Sequence, residues 1–458
     1  MAKAAQVFRC AECGWTTSKW VGRCGECQAW GTVAEAGTVR AGTTTASAIS
    51  PGQSAQPIGA VGVEVARSRP TGVEEFDRAL GGGLVQGAVI LLAGEPGVGK
   101  STLLLDVAAR WAHDAGRALY VTGEESAAQV RLRAERTGAM ADDLFLAAET
   151  DLGAVLGHVD DTKPTFLVLD SVQTVSSSDV DGAAGGVTQV REVAAALIRT
   201  AKERGIATIL VGHVTKDGSI AGPRVLEHLV DVVLQFEGDR HSRLRMVRTV
   251  KNRYGPADEV GCFDLSDTGI TSMPDPTGLF LSRHAAPVPG TCITVTLEGR
   301  RPLLGEVQAL VAPSALATPR RANSGLDTSR VAMVLAVLER RGGVRIGTSD
   351  VYTSTVGGAR LSEPASDLAV MLAVASAAAG RPAPMGMVAM GEVGLAGEIR
   401  RVTGLQRRLA EAERMGFTSA LVPADPGQVP PGLRVVEVAD VAQVLAAVAD
   451  SAAIAPVS

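Results

Sequence analysis

The sequence lacks any uninterrupted apolar run long enough to cross a bilayer, and its first residues, MAKAAQVFRC, contain no apolar segment of the kind found in secretory signals. These two absences lead us to expect a cytoplasmic protein without a membrane partner. A net charge of −5 excludes a chain that binds nucleic acid through overall positive charge, so such binding has to come from local clusters of cations. Aromatic residues are few, at 3% of the chain. Three of the four tryptophans nevertheless fall within the first thirty residues, which marks this segment as a small separate module.

The chain divides into segments of different composition. At 458 residues it is too long for one hydrophobic core, and its length indicates two or three domains. We predict a four-cysteine module over residues 1–31 and a flexible linker over 32–59, where small residues predominate and large apolar side chains are nearly absent. Short apolar runs alternate with helical patterns over 60–275, which predicts an α/β domain with a parallel central sheet. A further α+β domain is predicted over 286–458, beyond the turn-rich segment SMPDPTG.

The four N-terminal cysteines form two C-x2-C pairs, Cys10 with Cys13 and Cys24 with Cys27. In a cytosolic chain this arrangement favours metal ligation over disulfides, because two tight cysteine turns can close a tetrahedral thiolate site around Zn²⁺. A redox pair or a chance grouping is the alternative. Cys262 and Cys292 are isolated in the sequence and are predicted to be ordinary buried thiols.

The segment GEPGVGKS matches the phosphate-binding loop (P-loop) pattern G-x-x-x-x-G-K-[ST] in full, between a strand-like run and a helical one. Backbone N–H groups and a helix N-terminus would bind the β-phosphate of ATP, Lys100 would reach the β- and γ-phosphates, and Ser101 would hold Mg²⁺. A glycine-rich turn without function is the alternative. The residues predicted to bind the nucleotide are Gly94, Glu95, Pro96, Gly97, Val98, Gly99, Lys100, Ser101 and Thr102.

Acidic residues complete a predicted hydrolytic site. The hydrophobic strand TFLVLD ends in Asp170, a carboxylate placed to bind Mg²⁺ directly or through water. The segment LYVTGEES delivers Glu124 and Glu125 to the same edge of the sheet, and we predict that Glu124 polarises the attacking water. Solvated loop carboxylates are the alternative for either glutamate. Together with Lys100, these residues indicate nucleotide hydrolysis and not binding alone.

Two polar segments follow. The strand IATILVGH ends at His213, with Lys216 close behind in a glycine-containing loop; a polar residue here can sense the γ-phosphate, and an ordinary strand-end histidine is the alternative. The stretch RHSRLRMVRTVKNRYG, residues 240–255, carries six Lys/Arg and no acid. Its alternation predicts a strand with cations on one face that binds the phosphate of DNA or of a neighbouring subunit's nucleotide, with a solvated face as the alternative.

The order of these motifs closely resembles the bacterial RadA (Sms) family of DNA repair proteins over essentially the whole chain. The resemblance is carried by the four-cysteine module, by TGVEEFDRALGGGLVQGAVILLAGEPGVGKST, LYVTGEES, LVLDSVQT and GHVTKDGSIAGPRVLEH, and by KNRYG, which separates the family from RecA itself. The residues of KNRYG are Lys251, Asn252, Arg253, Tyr254 and Gly255.

The resemblance implies a RecA-like ATPase core, with ATP and Mg²⁺ as cofactors, that assembles into a homo-oligomeric and hexameric ring and moves on single-stranded DNA. It also implies a role in processing branched recombination intermediates, with branch migration alongside the RecA recombinase. By the same likeness Glu124 is the catalytic glutamate. Lys251 and Arg253 are implied to lie near the subunit interface, where they contact DNA or the neighbour's ATP.

The resemblance further implies that the C-terminal segment is similar to the proteolytic domain of Lon. The run LSEPASDLAVMLAVAS is similar in character to the Lon helix that starts GPSAG, and GEVGLAGEIRRVTGLQRRLAEAERMGF follows the Lon pattern up to the helix with the catalytic lysine. In this register Ala365 takes the nucleophile's place and Gln406 the lysine's place, so we expect a proteolytically inactive domain. Ser366 is one residue further along, which rotates it by about 100° around a helix axis and opposes a shifted dyad.

The sequence therefore predicts a DNA-dependent ATPase of recombinational repair, a translocase or helicase made of a zinc module, a RecA-like motor and an inactive Lon-like domain. An ATP-dependent protease is one alternative, which Ala365 and Gln406 oppose. A DNA-binding scaffold that uses ATP only to switch its assembly state is the other. In the Lon-like domain, a basic helix face is predicted to contact DNA or a neighbouring subunit, with a solvated helix as the alternative. Its residues are Arg400, Arg401, Arg407 and Arg408.

Overall fold

The structure, a computed structural model, describes residues 8–35, 57–60, 67–213, 224–238, 243–282 and 286–449. Its contacts divide the chain into two compact units, residues 1–62 and 63–458. Lys216 and most of the predicted linker lie outside the described residues. None of the helices in the described ranges has the length and apolar character that a bilayer crossing requires.

The first unit contains a small antiparallel sheet. Its strands are β1 (Phe8–Cys10), β2 (Thr16–Thr17) and β3 (Val33–Glu35), in the order β2-β1-β3. Strand β3 lies in the stretch predicted from residue 32 onward as linker, so the linker boundary is wrong by a few residues. The physical reason is Val33, which is buried with Cys10 and Cys24 and brings its strand against β1.

A nine-stranded sheet forms the centre of the P-loop domain in the second unit, beside the short antiparallel pair β4 (Ser68–Arg69) and β5 (Leu84–Val85). Its parallel strands are β6 (Val89–Gly94), β7 (Ala118–Thr122), β8 (Leu144–Ala148), β9 (Phe166–Asp170), β10 (Ala207–His213) and β11 (Val232–Gly238). Its antiparallel strands are β12 (Leu244–Asn252), β13 (Val260–Ser266) and β14 (Gly269–Ser272). The order across the sheet is β14-β13-β12-β11-β6-β10-β9-β7-β8. The predicted α/β class with a parallel-rich central sheet is confirmed.

Helices pack on both faces of this sheet. They are α1 (Glu74–Leu80), α2 (Lys100–Asp114), α3 (Ala127–Thr137), α4 (Leu152–Thr162), α5 (Val187–Arg204), α6 (Arg224–Glu227) and α7 (Thr277–Phe280). Residues of α1, α2 and α3 belong to one hydrophobic core, and residues of α4 and α5 to another. Along β6, Ile90 and Leu92 join the first core while Val89 and Leu91 join the second. Alternate side chains of a strand point to opposite faces, so a strand covered on both sides has to be apolar throughout.

The C-terminal part of the second unit is built on a mixed seven-stranded sheet in the order β17-β18-β16-β15-β19-β22-β23. Its strands are β15 (Thr291–Glu298), β16 (Arg301–Pro313), β17 (Arg321–Ser324), β18 (Ser349–Thr355), β19 (Met387–Ala389), β22 (Ser419–Pro423) and β23 (Arg434–Val438), with a separate pair β20 (Glu392–Val393) and β21 (Ile399–Arg400). Its helices are α8 (Thr328–Arg340), α9 (Asp367–Ala379), α10 (Leu405–Arg414) and α11 (Val441–Ala449). A short 3-10 turn, Pro364–Ser366, leads into the buried helix α9.

A buried ion pair joins the two sheets of the second unit. Arg301, at the start of β16, donates to the carboxylate of Glu75 in α1, and both side chains are at most 5% exposed. The Arg301 guanidinium also donates to the carbonyl oxygens of Val260 and Pro274, at 3.1 and 2.5 Å. Removing one member of a buried, hydrogen-bonded pair leaves an uncompensated charge. The P-loop domain and the C-terminal sheet are therefore held together by a defined polar contact as well as by apolar packing.

Candidate nucleotide and metal sites

The P-loop runs from the end of β6 to the start of α2. Gly97 and Gly99 have φ values of 80° and 111°, a backbone region that favours glycine because a Cβ is strained there. A Cβ built on Gly97 meets no atom within 4 Å, so the loop is open on the side where a phosphate would bind. A Cβ on Gly94 would lie 2.6 Å from the carbonyl oxygen of Phe236, which shows that β6 and β11 approach closely beneath the loop. The open side and the helix N-terminus fit a bound nucleotide phosphate.

Lys100 lies buried at the base of this loop and is 4% exposed. Its Nζ donates to the carbonyl oxygens of Gly94 at 2.9 Å and Glu95 at 2.8 Å, and lies 3.4 Å from Nδ1 of His213. Burial lowers the pKa of Lys100 to about 8, against the opposing effect of nearby carboxylates, with that of Asp170 the largest. The ammonium group is thus held among oxygen acceptors at the position where the motif requires a phosphate contact.

Glu124 and Glu125 have different surroundings. Oε1 of Glu124 accepts hydrogen bonds from Oγ of Ser171 and from Nε2 of His213, both at 2.7 Å. Burial raises the pKa of Glu124, but these hydrogen bonds and the charges of His213 and Lys100 outweigh it and hold the pKa below its ordinary value. Glu125 instead forms an ion pair with Arg133 of α3. Of the two, Glu124 faces the P-loop lysine through His213.

Asp170 ends β9 and is 7% exposed. Its Oδ2 accepts a 2.7 Å hydrogen bond from the hydroxyl of Tyr120, a buried residue of the neighbouring strand β7. Burial first, and the Asp170 carboxylate next, raise the pKa of Tyr120 well above its usual value, while the charge of Arg133 and a hydrogen bond with Ser101 act in the opposite direction. Asp170 and Ser101, the two predicted Mg²⁺ ligands, therefore both border Tyr120. Sequence reasoning missed Tyr120 because a tyrosine within an apolar strand is predicted to be an ordinary core residue.

His213 lies between the P-loop and the predicted catalytic glutamate. Its Nδ1 is near Lys100 and its Nε2 is hydrogen-bonded to Glu124, so one imidazole ring bridges the two. The side chain is 28% exposed. The role of His213 in sensing nucleotide stays a prediction, which this bridging position supports. Residues 214–223, which include Lys216, fall in a part of the chain that is not described.

The basic stretch does not place its cations on one face of β12, contrary to the sequence prediction. Arg245 is 8% exposed and shares the buried face of the strand with Val247 and Thr249. Arg248 points to the other face, where it pairs with Glu298 of the C-terminal domain. The alternation holds, but it divides the arginines between a buried face and an ion-paired one.

The KNRYG segment lies at the opposite edge of the sheet from the P-loop. Strand β12 runs antiparallel to β11, and Asn252 pairs with Val232 where β11 begins, whereas the P-loop follows the end of the parallel strand β6. The six residues of β6 span about 17 Å at roughly 3.3 Å per residue. Lys251 and Arg253 are therefore remote from the nucleotide site of their own chain.

Local contacts fix the KNRYG segment. Nζ of Lys251 donates to the carbonyl oxygens of Glu227 and Val230, at 2.7 and 2.8 Å. Asp231 accepts from Arg253 at 3.2 Å, from Lys202 of α5 at 2.5 Å and from the backbone N–H of Val89. The remaining contacts are a donation from Asn252 to the carbonyl oxygen of Leu80, a hydrogen bond between Lys202 and the Tyr254 hydroxyl, and the packing of Gly255 near Gly81. This network anchors the segment to β6, α1 and α5.

The four cysteine Sγ atoms lie within 4.8 Å of one another. Cys10 and Cys27 are 3.7 Å apart, and Cys13 and Cys24 are 3.5 Å apart. A tetrahedral Zn²⁺ site with Zn–S bonds of about 2.3 Å has sulfur atoms about 3.8 Å apart. The donor set and its spacing therefore fit Zn²⁺. The isolated thiols behave as predicted, since Cys262 and Cys292 are both buried.

Mutation of a zinc ligand is expected to remove the metal. In Cys13→Ser, one of the four thiolates is lost, and we expect the zinc content of the purified full chain to fall from about one ion per chain to well below half. Elemental analysis measures the ratio. Cys292→Ala, which removes a buried thiol in the C-terminal domain, is the matched control and should keep the wild-type content. A Cys13→Ser protein with full zinc occupancy would contradict the four-cysteine assignment.

The Lon-like region contains an ion pair beside the predicted dyad positions. Ala365 is 2% exposed, Gln406 is exposed, and Oγ of the buried Ser366 donates to the carbonyl oxygen of Glu363. Arg408, two residues after Gln406, is 1% exposed and makes two hydrogen bonds to the Glu363 carboxylate, at 2.5 and 2.7 Å. Arg408 was predicted on an exposed basic face, and this prediction is wrong. Leu405, Leu409 and Ala412 are also buried, so the helical period places Arg408 on the inner side of α10.

The other arginines of the predicted basic face are exposed. Arg400 pairs with Glu398 and Arg401 pairs with Asp425, while Arg407 lies on the outer side of α10. Three of the four predicted cations are therefore available at the surface, although two of them are already paired with carboxylates.

Comparison with known proteins agrees with these sites. Residues 63–219 match the family model described as AAA domain, and residues 8–35 match the one described as Rubredoxin metal binding domain. The chain is 58% identical over 443 residues to a DNA repair protein RadA of Mycolicibacterium smegmatis, covering 95% of each chain. It is 56% identical to a DNA repair protein RadA of Mycobacterium tuberculosis, covering 99% of this chain and 95% of the relative. For a DNA repair protein RadA of Streptococcus pyogenes the identity is 44%, over 98% of this chain and 100% of the relative.

The matched lengths of these relatives include the four-cysteine module, the P-loop domain and the C-terminal domain, so the resemblance stated from the sequence motifs is confirmed. The chain belongs to the RadA family of DNA repair proteins.

Proposed function

We propose that this protein is a DNA-dependent ATP hydrolase that forms a ring, moves on single-stranded DNA, and processes branched recombination intermediates together with the RecA recombinase. The observation that carries the hydrolase assignment is the chain of contacts from Lys100 through His213 to Glu124. It joins a phosphate-binding cation to a carboxylate held ionised, which is what a phosphate-sensing hydrolytic site needs. The DNA-related part rests on the names of the full-length relatives.

Each residue of the site has a role in hydrolysis. Ser101 and Asp170 would hold a bound Mg²⁺, which would supply positive charge against the phosphate oxygens of ATP. Lys100 would contact the β- and γ-phosphates. Glu124 accepts a proton from the attacking water, while Ser171 and His213 orient its carboxylate.

Lys251 and Arg253 are proposed to act on a molecule other than the nucleotide bound to their own chain. Their position at the far edge of the sheet supports this, as does their anchoring to Val230 and Asp231. Burial first, and the charge of Arg253 next, lower the pKa of Lys251. A neighbouring subunit's ATP and a DNA phosphate are both ligands that such a pair of cations suits.

A forked DNA separates a motor from a scaffold. We expect the wild-type protein to displace the annealed strand in the presence of ATP and Mg²⁺, and to do so at background level without ATP. Lys100→Ala should bind the fork and fail to displace the strand. If ATP promoted assembly on the fork while strand displacement stayed at background, the scaffold alternative would replace the translocase proposal.

The protease alternative has little chemical support. The chain contains no lysine after Lys251, so no residue of the Lon-like region can serve as the amine of a Ser/Lys dyad. Arginine cannot replace it, because its guanidinium is never deprotonated at neutral pH. We therefore propose that this domain has an architectural role, and degradation of casein with ATP would contradict that assignment.

A further inference from the structure

Arg245 of β12 contacts the P-loop although it lies two strands away from it. Its Nε donates a 2.9 Å hydrogen bond to the carbonyl oxygen of Val98, within GEPGVGK. Strand β12 is separated from β6 by β11, so the side chain has to cross β11 to make this contact. The bond is buried, and Arg245 is 8% exposed. Burial of the Arg245 guanidinium costs free energy of desolvation, which an arginine exposed at the surface does not lose.

Glycine at position 238 makes the crossing possible. Gly238 pairs with Arg245 across the two strands. A Cβ built on Gly238 would lie 2.3 Å from Cδ of Arg245 and 2.8 Å from its Nε. Real Cβ atoms do not approach other heavy atoms so closely, so any larger residue at 238 would displace the arginine side chain. The absence of a side chain at Gly238 of β11 thus leaves the space that the Arg245 side chain of β12 occupies at the edge of the nucleotide site.

The hydrogen bond fixes the orientation of one peptide unit of the P-loop. A trans peptide is planar, and its C=O and N–H groups point in opposite directions. Because the Val98 carbonyl points to Arg245, the N–H of Gly99 points away from the Arg245 guanidinium. Gly99 immediately precedes α2, and in this motif the N–H groups here bind the β-phosphate. Its φ of 111° leaves the peptide otherwise free to take other orientations, since glycine has few steric restrictions.

We propose that Arg245 is a positioning residue for nucleotide binding, which holds the Val98–Gly99 peptide so that the Gly99 N–H faces the β-phosphate. This inference rests on the proposed function, because it takes the P-loop as a site for ATP. It gives a role at the nucleotide site of its own chain to an arginine of the basic stretch 240–255, contributed by the strand that also carries Lys251 at its other end. The same strand therefore connects the KNRYG segment to the phosphate loop of its own chain.

The Arg245→Gln variant tests the proposal through nucleotide affinity. The Gly99 contact with the β-phosphate exists before and during the reaction, so its loss weakens substrate and transition state alike. We expect the KM for ATP and the Kd for ADP to rise by roughly 10-fold or more, as for the loss of a charge-assisted hydrogen bond, with kcat changed much less. A purely structural defect lowers the active fraction, and so lowers apparent kcat without raising KM. Assays are made on the full chain without DNA.

Two further variants keep the test decisive. Gly238→Ala leaves Arg245 in the sequence but displaces its side chain, so it should raise the same two constants even if Arg245→Gln folds poorly. Arg243→Gln is the matched control, because Arg243 lies two residues away, is 65% exposed and pairs with Asp264, and it should keep wild-type values. Unchanged ADP affinity in both Arg245→Gln and Gly238→Ala would overturn the proposal, as would an equal loss in Arg243→Gln.

The ADP measurement separates this inference from the proposed function. Binding of ADP requires no hydrolysis, so an inactive wild-type enzyme that binds ADP would refute the hydrolase assignment and still test Arg245. Conversely, if the wild type hydrolyses ATP and the Arg245→Gln variant binds ADP as tightly as the wild type, only the positioning role is refuted. Lys100→Ala gives the reference for complete loss of the phosphate contact.

Discussion

Replacement of Glu124 by Gln is expected to lower the rate of ATP hydrolysis by roughly 10²–10⁴-fold while leaving ATP binding nearly unchanged. The amide is close in shape to the carboxylate and can still accept a hydrogen bond from Ser171, but it cannot take a proton from the attacking water. The steady-state rate of phosphate release measures the effect, and binding of a fluorescent ATP analogue shows that the site is intact. The variant is expected to hold ATP without consuming it.

Glu125→Gln is the matched control for this experiment. Glu125 is adjacent in sequence and carries the same group, but it pairs with Arg133, whereas Ser171 and His213 are hydrogen-bonded to Glu124. Its loss should reduce the rate by less than about 10-fold, the scale of an ion pair near the surface. If the two variants lost activity equally, or if Glu125→Gln were the more severe, the choice of Glu124 as the base would be wrong.

The second large effect is expected at Arg408. Arg408→Ala should destabilise the C-terminal domain by about 1.5–3 kcal/mol, because it leaves the half-buried Glu363 carboxylate without its charged hydrogen-bond partner. Arg408 also donates to the carbonyl oxygens of Val295 and Thr403, which would lose those bonds. The midpoint of denaturant unfolding, followed by tryptic cleavage within the C-terminal domain, measures the loss.

Two controls distinguish the loss of the ion pair from the loss of a positive charge in general. Arg407→Ala removes the same charge from the exposed side of α10 and should change the free energy of unfolding by less than about 0.5 kcal/mol. The double replacement of Glu363 by Gln and Arg408 by Met removes both charges and should recover part of the stability lost in Arg408→Ala. Equal destabilisation by Arg407→Ala and Arg408→Ala would show that the ion pair is not the cause.

The same ion pair predicts how the stability of the C-terminal domain changes with pH. Burial raises the pKa of Glu363, but the hydrogen bond and charge of Arg408 outweigh it and hold the pKa below its ordinary value. A carboxyl whose pKa is lower in the folded state stabilises fully above its unfolded value and loses that contribution as the pH falls through the folded value. As the pH falls through the folded pKa of Glu363, the difference in the free energy of unfolding between the wild type and the double variant should therefore become smaller.

The sequence could predict the P-loop, the strand-end acid Asp170 and the cysteine cluster, because these motifs bring their own structural context within a few residues. It could also predict the parallel sheet, since alternating apolar runs and helices leave few other folds. The prediction of Glu124 came from a resemblance together with its place after a strand. The contacts that give Glu124 its character, from Ser171 and His213, join residues 47 and 89 positions away, and no local pattern encodes them.

The errors have physical causes that the sequence partly contains. Arg408 was grouped with the neighbouring arginines by charge, although its spacing from Leu405 and Leu409 already placed it on the apolar side of α10. Arg245 was counted among surface cations, although it alternates with Val247 on β12. In both cases the periodicity of the apolar residues predicts that the arginine is buried, whereas its charge predicts that it is exposed. Both arginines are buried, because each guanidinium donates hydrogen bonds to carbonyl oxygens inside the protein.

The most direct test of the central claim is the rate of ATP hydrolysis by the purified full-length protein with and without single-stranded DNA. Lys100→Ala and Glu124→Gln are measured in parallel to show that the rate arises at the P-loop. The account predicts a clear increase with DNA for the wild type, and background rates for both variants in either condition. A wild-type rate that does not respond to DNA, or one that persists in Lys100→Ala, would contradict it.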